Sequence, residues 1–256
     1  MLNIHHFRNA TMVIETEKDV ILVYPMLGLK GTMPTFTFFR FKAQKNPIVN
    51  LPEKCNEILN KVNHCIITHQ HPDHIDKEGE RFLKENKIPI TCSKKDEKAF
   101  KKKGLNVVKA INYWERNDFL GGIIEGIPAK HGYGFIAKPM GNVMGFYIEL
   151  PNQKSIYISA DTIYTDDVDK VLTEYKPSIS IVASGTAQLD VFKPLLMTVS
   201  DILKFVKKSP QKVIANHLEA VNHCPTTRKK LREELEKNGL SDKVEIPMDG
   251  EIIKME

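Results

Sequence analysis

The densest group of metal-seeking side chains in this chain is Thr68-His-Gln-His-Pro-Asp-His74, which places His69, His71, Asp73 and His74 within six consecutive residues. Imidazole nitrogen and carboxylate oxygen are good donors to zinc, manganese or iron. The competing reading is a polar turn with incidental histidines. That reading requires a hydrogen-bond partner for each buried ring, a demanding condition for three imidazoles so close together. Local geometry favours two ion sites over one. His69 and His71, two apart on an extended segment, point the same way, while Asp73 and His74 at the turn into the next helix can face elsewhere.

The segment resembles the HxHxDH signature of the metallo-β-lactamase superfamily. That resemblance calls for a later histidine, then an aspartate, then a last histidine, each closing a strand. His131 follows Gly126-Ile-Pro-Ala-Lys130, Asp161 follows Tyr157-Ile-Ser-Ala160, and His217 follows Val213-Ile-Ala-Asn216. Taken singly, His131 or His217 reads as an ordinary half-buried histidine; their joint placement reverses that. The resemblance implies that His69, His71 and His131 hold one divalent ion, that Asp73, His74 and His217 hold a second, and that Asp161 bridges them. Zinc is the first expectation, with manganese or iron as alternatives.

The resemblance extends over nearly all of the chain, implying one domain over residues 1–256, an α/β fold built as a four-layered αββα sandwich. Ser159-Ala-Asp-Thr162 and His217-Leu-Glu-Ala-Val-Asn-His-Cys-Pro-Thr-Thr-Arg228 resemble the branch related to L-ascorbate-6-phosphate lactonase. Two positions depart from the family pattern: Ala160 stands where Gly usually precedes the bridging Asp, and Tyr24 stands where an Asp usually supports the metal site. Metal affinity or choice is therefore expected to differ.

The implied chemistry is hydrolysis. Two ions sharing a water lower its pKa to about 7 from about 15.7, so that a bridging hydroxide attacks and no protein nucleophile is needed. Asp73 would orient that nucleophile, His223 would protonate a leaving group, and Arg228 would clamp an anionic substrate through its planar fork. The bland alternative for the last two is a helix start, with Thr226 or Thr227 capping and Arg228 facing solvent. No GxSxG elbow supports a serine mechanism. The expected substrate is a lactone, ester or other small anionic metabolite. The rivals are a phosphodiesterase acting on nucleotides or RNA, and a metal-binding protein without turnover. No interleaving of basic and aromatic residues favours nucleic acid.

Composition sets the limits. A chain of 256 residues with 41% hydrophobic content can bury a core without disulfides, so metal here serves chemistry. The net charge of +5, from 37 Lys and Arg against 32 Asp and Glu, is mild and dispersed. It suits an anionic small molecule better than nucleic acid. No apolar run approaches the ~20 residues that cross a membrane, and the N-terminus carries no export pattern. Cys55, Cys65, Cys92 and Cys224 lack CxxC spacing, so free thiols and a cytoplasmic location are expected. Homo-oligomerisation stays open.

The elements that must position these residues alternate. A hairpin is expected over Thr11–Glu15 and Val20–Tyr24, and a long loop over 26–52 carries Phe36, Phe38, Phe39 and Phe41. That aromatic run reads first as a strand tucking alternate rings under the body, and second as a flap or subunit contact. A strand at Cys65–Ile67 feeds the histidine cluster, and a helix follows over Ile75–Asn86. A strand at Ile88–Cys92 carries Pro89 at an edge or entry position. A helix capped by Ser93, with Asp96 three residues on, closes at Gly104. Further strands are expected at Gly122–Pro128, Gly145–Leu150, Ser155–Ser159, Ile179–Ala183 and Val213–Ala215. Helices are expected at Asp166–Tyr175, Asp201–Lys208 and Thr227–Asn238.

Overall fold

The computed structural model describes residues 1–255. The first sheet joins β1 (Leu2–Arg8), β2 (Thr11–Glu15), β3 (Val20–Val23), β4 (His64–Ile67), β5 (Ile90–Ser93) and β6 (Val107–Ile111). The second runs through β7 (Arg116–Phe119), β8 (Gly122–Pro128), β9 (Met144–Glu149), β10 (Ile156–Ile158), β11 (Ile179–Ala183), β12 (Lys212–Asn216) and β13 (Val244–Glu245). A last strand, β14 (Ile252–Met255), returns to pair antiparallel with β1, so the strand orders are β14-β1-β2-β3-β4-β5-β6 and β13-β12-β11-β10-β9-β8-β7. In each sheet an antiparallel half gives way to a parallel one, β3 to β6 in the first and β10 to β13 in the second.

Period-two alternation sorts the side chains into layers. Ile4, Met12, Ile14, Ile21 and Ile66 from the first sheet pack against Ile124, Phe146, Ile158, Ile181 and Ile214 from the second. The opposite face of the first sheet, including Leu22, Cys65, Ile67 and Ile90, is covered by α1 (Cys55–Leu59), α2 (Lys77–Glu85) and α3 (Glu97–Lys102). The opposite face of the second, including Tyr157, Val182 and Val213, is covered by α4 (Asp166–Lys170), α5 (Val199–Lys208) and α6 (Arg228–Lys237). The result is the four-layer αββα arrangement expected from the sequence. Among the described residues, no helix is long and apolar enough to cross a membrane.

Most helix starts obey capping chemistry. Asp76 accepts from Gly79 N, Thr198 and Asp201 form a reciprocal capping box, and Thr227 accepts from Lys230 N. The helix expected over 166–175 is real but changes pitch, becoming a π turn at Val171–Tyr175 and ending on Lys176 in the left-handed region.

Three expectations need correction, and one pair of alternatives is decided. Ser93 is the last residue of β5, not a helix cap, and its hydroxyl accepts from Lys95 N while α3 starts at Glu97. The Asp96 carboxylate is occupied elsewhere, accepting from Gln70 and Asn142. Pro89 is at a strand entry and not at an edge: β5 lies between β4 and β6, and the Pro89 carbonyl accepts from Cys65 N. The phenylalanine run forms no strand; Phe38 and Phe39 are 59% and 91% exposed, and Phe36 and Phe41 are half-buried.

Candidate metal centre

All seven expected donors emerge from strand ends on one edge of the sandwich, where open α/β sheets place their ligands. Thr68 continues β4, and its carbonyl accepts from Met144 N, at the start of β9. The chain then turns tightly, with His74 N and Ile75 N both donating to the His71 carbonyl. That turn separates His69 and His71 from Asp73 and His74. Asn9 fastens it from the neighbouring hairpin by donating to the Asp73 carbonyl at 3.0 Å. His131 lies three residues beyond β8 and Asp161 three beyond β10. The two loops are joined by Lys130 N donating to Thr162 Oγ1 and Ile163 N donating to the Lys130 carbonyl. His217 leaves β12 in the left-handed region (φ 61°), and its N–H donates to the Asn9 carbonyl. Gly185 makes room for this turn, because a Cβ there would collide with the His217 carbonyl.

The side chains converge. Asp161 Oδ2 lies 3.1 Å from His74 Nε2 and 3.5 Å from the Nε2 atoms of both His131 and His217. His217 Nε2 is 3.4 Å from Asp73 Oδ2 and 3.2 Å from His74 Nε2. The rings of His69, His71 and His131 face one another with centroids 4.6–5.6 Å apart. Six of the seven are buried, and only His71 is half-buried.

Three groups can each hold a cation: His69 with His71 and His131, His69 with His74 and Asp161, and Asp73 with His74 and His217. The middle group links the other two, as expected for an aspartate between them. The donor set passes a direct test of fit. His69 Nε2 and Asp161 Oδ1 are buried without any hydrogen-bond partner in the protein. Orphaned buried groups of this kind are costly unless something else satisfies them, and a divalent cation would.

At His69, His131 and Asp161 the electrostatics agree, whereas burial is outweighed at His217, which Asp161 and Asp73 hold well above the usual imidazole range. Burial pushes the His131 imidazole down to about 4 and holds His69 well below its usual range, keeping both rings neutral and able to donate lone pairs. Burial alone would raise the Asp161 carboxyl, but His74 and His217 hold it well below the usual carboxylate range.

Several contributors carried no signal in the motif. Thr68 Oγ1 lies 2.9 Å from His69 Nδ1, the Leu195 carbonyl 3.0 Å from His131 Nδ1, and Cys224 Sγ 3.4 Å from His217 Nδ1. These fix ring orientation from behind. Tyr24, also in the left-handed region (φ 57°), presents its ring edge-on to His74 at 4.6 Å.

The structure divides the two additional candidates. His223 is buried beside the centre, its ring 6.5 Å from that of His217 and capped by Phe36 at 5.0 Å. Burial pushes it down to about 4, and its Nδ1 has no protein partner. Arg228 does not fit the expected anion clamp. It is 5% exposed and fully engaged, donating to Glu219 at 2.6 Å, the Pro247 carbonyl at 2.7 Å and Asp249. Its fork ties the turn after His217 to the C-terminal segment, leaving no free donor face for a substrate.

Comparison with known proteins agrees with this geometry. The family described as a beta-lactamase superfamily domain matches residues 21–217. The chain is 32% identical over 252 residues to the UPF0173 protein YddR of Bacillus subtilis (strain 168), covering 98% of each. It superposes on a crystal structure described as a possible metal-dependent hydrolase from Veillonella parvula with TM-score 0.91 and 29% identity, over 100% of both chains. It also matches the isothiocyanate hydrolase from Delia radicum gut bacteria, with TM-score 0.89 and 29% identity over 99% of both.

Proposed function

The chain belongs to the beta-lactamase superfamily, and from that premise we propose that it is a metal-dependent hydrolase of a small carbon electrophile, a lactone or ester being the leading class, with two divalent ions in its working site. The observation that carries this reading is the convergence of five imidazoles and two carboxylates with inward atoms, His69 Nε2 and Asp161 Oδ1, that the protein leaves unsatisfied.

Divalent ions held there supply Lewis acidity and acidify a water. The rest is the work of this chain's own residues. Asp73, anchored through its carbonyl by Asn9, would orient the attacking water with its carboxylate. His223, neutral through burial and with a free ring nitrogen, would donate a hydrogen bond to a substrate oxygen, in place of acting as a charged acid. Phe36 would close the space above it and exclude water. The withdrawal of Arg228 into an internal salt bridge removes the main residue argument for a strictly anionic substrate.

A second reading has its own support. Phe38, Phe39, Phe135, Val191 and Phe192 are exposed on the three loops around the site, and a chain 29% identical to this one is named an isothiocyanate hydrolase. An apolar isothiocyanate offers an electrophilic carbon to the same nucleophile. The partner in either case is a small molecule and not nucleic acid.

Elemental analysis of freshly purified protein, followed by a panel of lactones, esters, isothiocyanates and phosphodiesters, tests both readings. Two ions per chain and turnover of a lactone or ester are expected. Turnover of phosphodiesters alone, or metal-free protein with activity, would remove the proposal.

A further inference from the structure

The imidazoles of the centre are not equally well supported from behind. A histidine that offers Nε2 to a cation carries its proton on Nδ1, and that N–H needs an acceptor to lock the ring and raise its basicity. His69 and His131 have oxygen partners at Nδ1, Thr68 Oγ1 at 2.9 Å and the Leu195 carbonyl at 3.0 Å. His217 has only a thiol, Cys224 Sγ at 3.4 Å, a weak partner. His74 has none. Its Nε2 faces Asp161 and His217, while its Nδ1 is buried without a hydrogen-bond partner.

Tyr24 stands beside that ring. It is 2% exposed, sits in the left-handed region and turns an aromatic ring toward His74. A buried aromatic ring provides packing where a carboxylate or carbonyl would provide an acceptor. Both rings supported by oxygen fall in one group, whose third member, the half-buried His71, has no side-chain hydrogen bond. His74 and His217 belong with Asp73 in one donor group, whereas His69 and His131 belong with His71 in another.

We infer that the two subsites bind divalent cations with unequal affinity, the His69/His71/His131 group filling first and the Asp73/His74/His217 group forming a labile second site whose weakness is set by Tyr24 and Cys224. Second-site occupancy then follows the free metal concentration, so the fraction of protein carrying both ions is governed by metal supply. This inference rests on the two-ion reading above. Acceptors of this kind contribute roughly 10–100-fold in affinity, so the gap between steps is expected to be of that order.

The test is a titration of metal-stripped full-length protein with Zn²⁺ in competition with a chromophoric chelator, repeated with Co²⁺ and its visible absorption. Two steps separated by roughly 10-fold or more are expected. Thr68→Ala should weaken the first step alone, and Cys224→Ala the second alone. Tyr24→Asp or Tyr24→Asn, each placing a short acceptor near His74, should tighten the second step and narrow the gap. Circular dichroism establishes that each variant is folded, and the Thr68 and Cys224 variants decide the matter if both Tyr24 variants fail to fold. Two steps of equal affinity, or a Cys224→Ala effect on the first step, would overturn the inference while leaving the hydrolase reading standing. A single ion at saturating Zn²⁺ would overturn the two-ion reading and this inference with it.

Discussion

The floor of the site and the rim above it are built by different means. On the floor every donor hangs from a strand end, and the loops that carry them are cross-linked through backbone amides. His217 N donates to Asn9 O at 2.7 Å, Ile163 N to Lys130 O at 2.9 Å and Met144 N to Thr68 O at 3.1 Å. On the rim a single carboxylate organises the phenylalanine loop. Asp190 accepts from the backbone of Phe38, Phe39 and Arg40 and from the Thr37 hydroxyl, contacts that hold it well below the usual carboxylate range. The floor therefore depends on sheet register, which packing of the whole domain enforces. The rim depends on a few side chains and presents its rings to water. A scaffold of this kind can change what it admits without disturbing what it does to it.

The comparison can be broken from the floor first. Asp161→Ala removes the carboxylate nearest to three imidazoles, and hydrolysis should fall to background with loss of bound metal while circular dichroism stays native. Surviving turnover would show that the floor tolerates loss of its central residue. Arg228→Met should come next. It leaves Glu219 and Asp249, 35% and 25% exposed, without their buried cation, a change that costs about 1–3 kcal/mol because solvent reaches both carboxylates, readable as a lower urea midpoint. A substrate clamp would instead leave stability unchanged and raise KM.

Acid sensitivity is expected to be of similar size. Burial pushes both His64 and His223 down to about 4. A histidine whose folded pKa is depressed contributes stability that is fully present above its unfolded pKa of about 6.5. That contribution is lost as the pH falls from there towards about 4, because the unfolded chain binds the proton first. His64 is remote from the donors and bonded to Thr91, so His64→Leu should flatten the loss between those limits in denaturation measured against pH. An unchanged profile would clear His64 of any part in it. The smallest effect belongs to the rim. Phe38→Ser and Phe39→Ser should change stability by no more than about 0.5 kcal/mol, yet raise KM for apolar substrates with kcat held. Unchanged KM would assign those rings to another role.

Legibility in the sequence follows the same division. Strands with long apolar runs, such as Gly122–Pro128 and Ile179–Ala183, match the structure residue for residue. The sequence reading contains no strand at β1, β6, β7, β13 or β14: LNIHHFR and RNDF are rich in polar side chains, a lysine interrupts VVKAI and IIKM, and β13 is two residues long. They are strands because a neighbour pairs with them, a condition that local propensity does not contain. The Ser93 cap failed for a related reason, since β5 extends through Ser93 to pair with Ile111. The phenylalanine alternation reads as a half-buried strand because periodicity cannot see that Asp190, some 150 residues away, captures the backbone.

The sequence by itself determined the local cluster of His69, His71, Asp73 and His74, because ligand chemistry is a property of residue type and spacing, while His131, Asp161 and His217 entered only through resemblance to the family pattern. What lies behind each ring was decided by tertiary structure alone. Thr68 faces His69, Cys224 faces His217 and no hydrogen-bond partner reaches His74 Nδ1. Arg228 pairs with Glu219 and Asp249 and so lies out of reach of a substrate. Hydrogen-bond partners are set to within a few tenths of an ångström by the packing of distant segments, a precision that the order of residues along a chain does not carry.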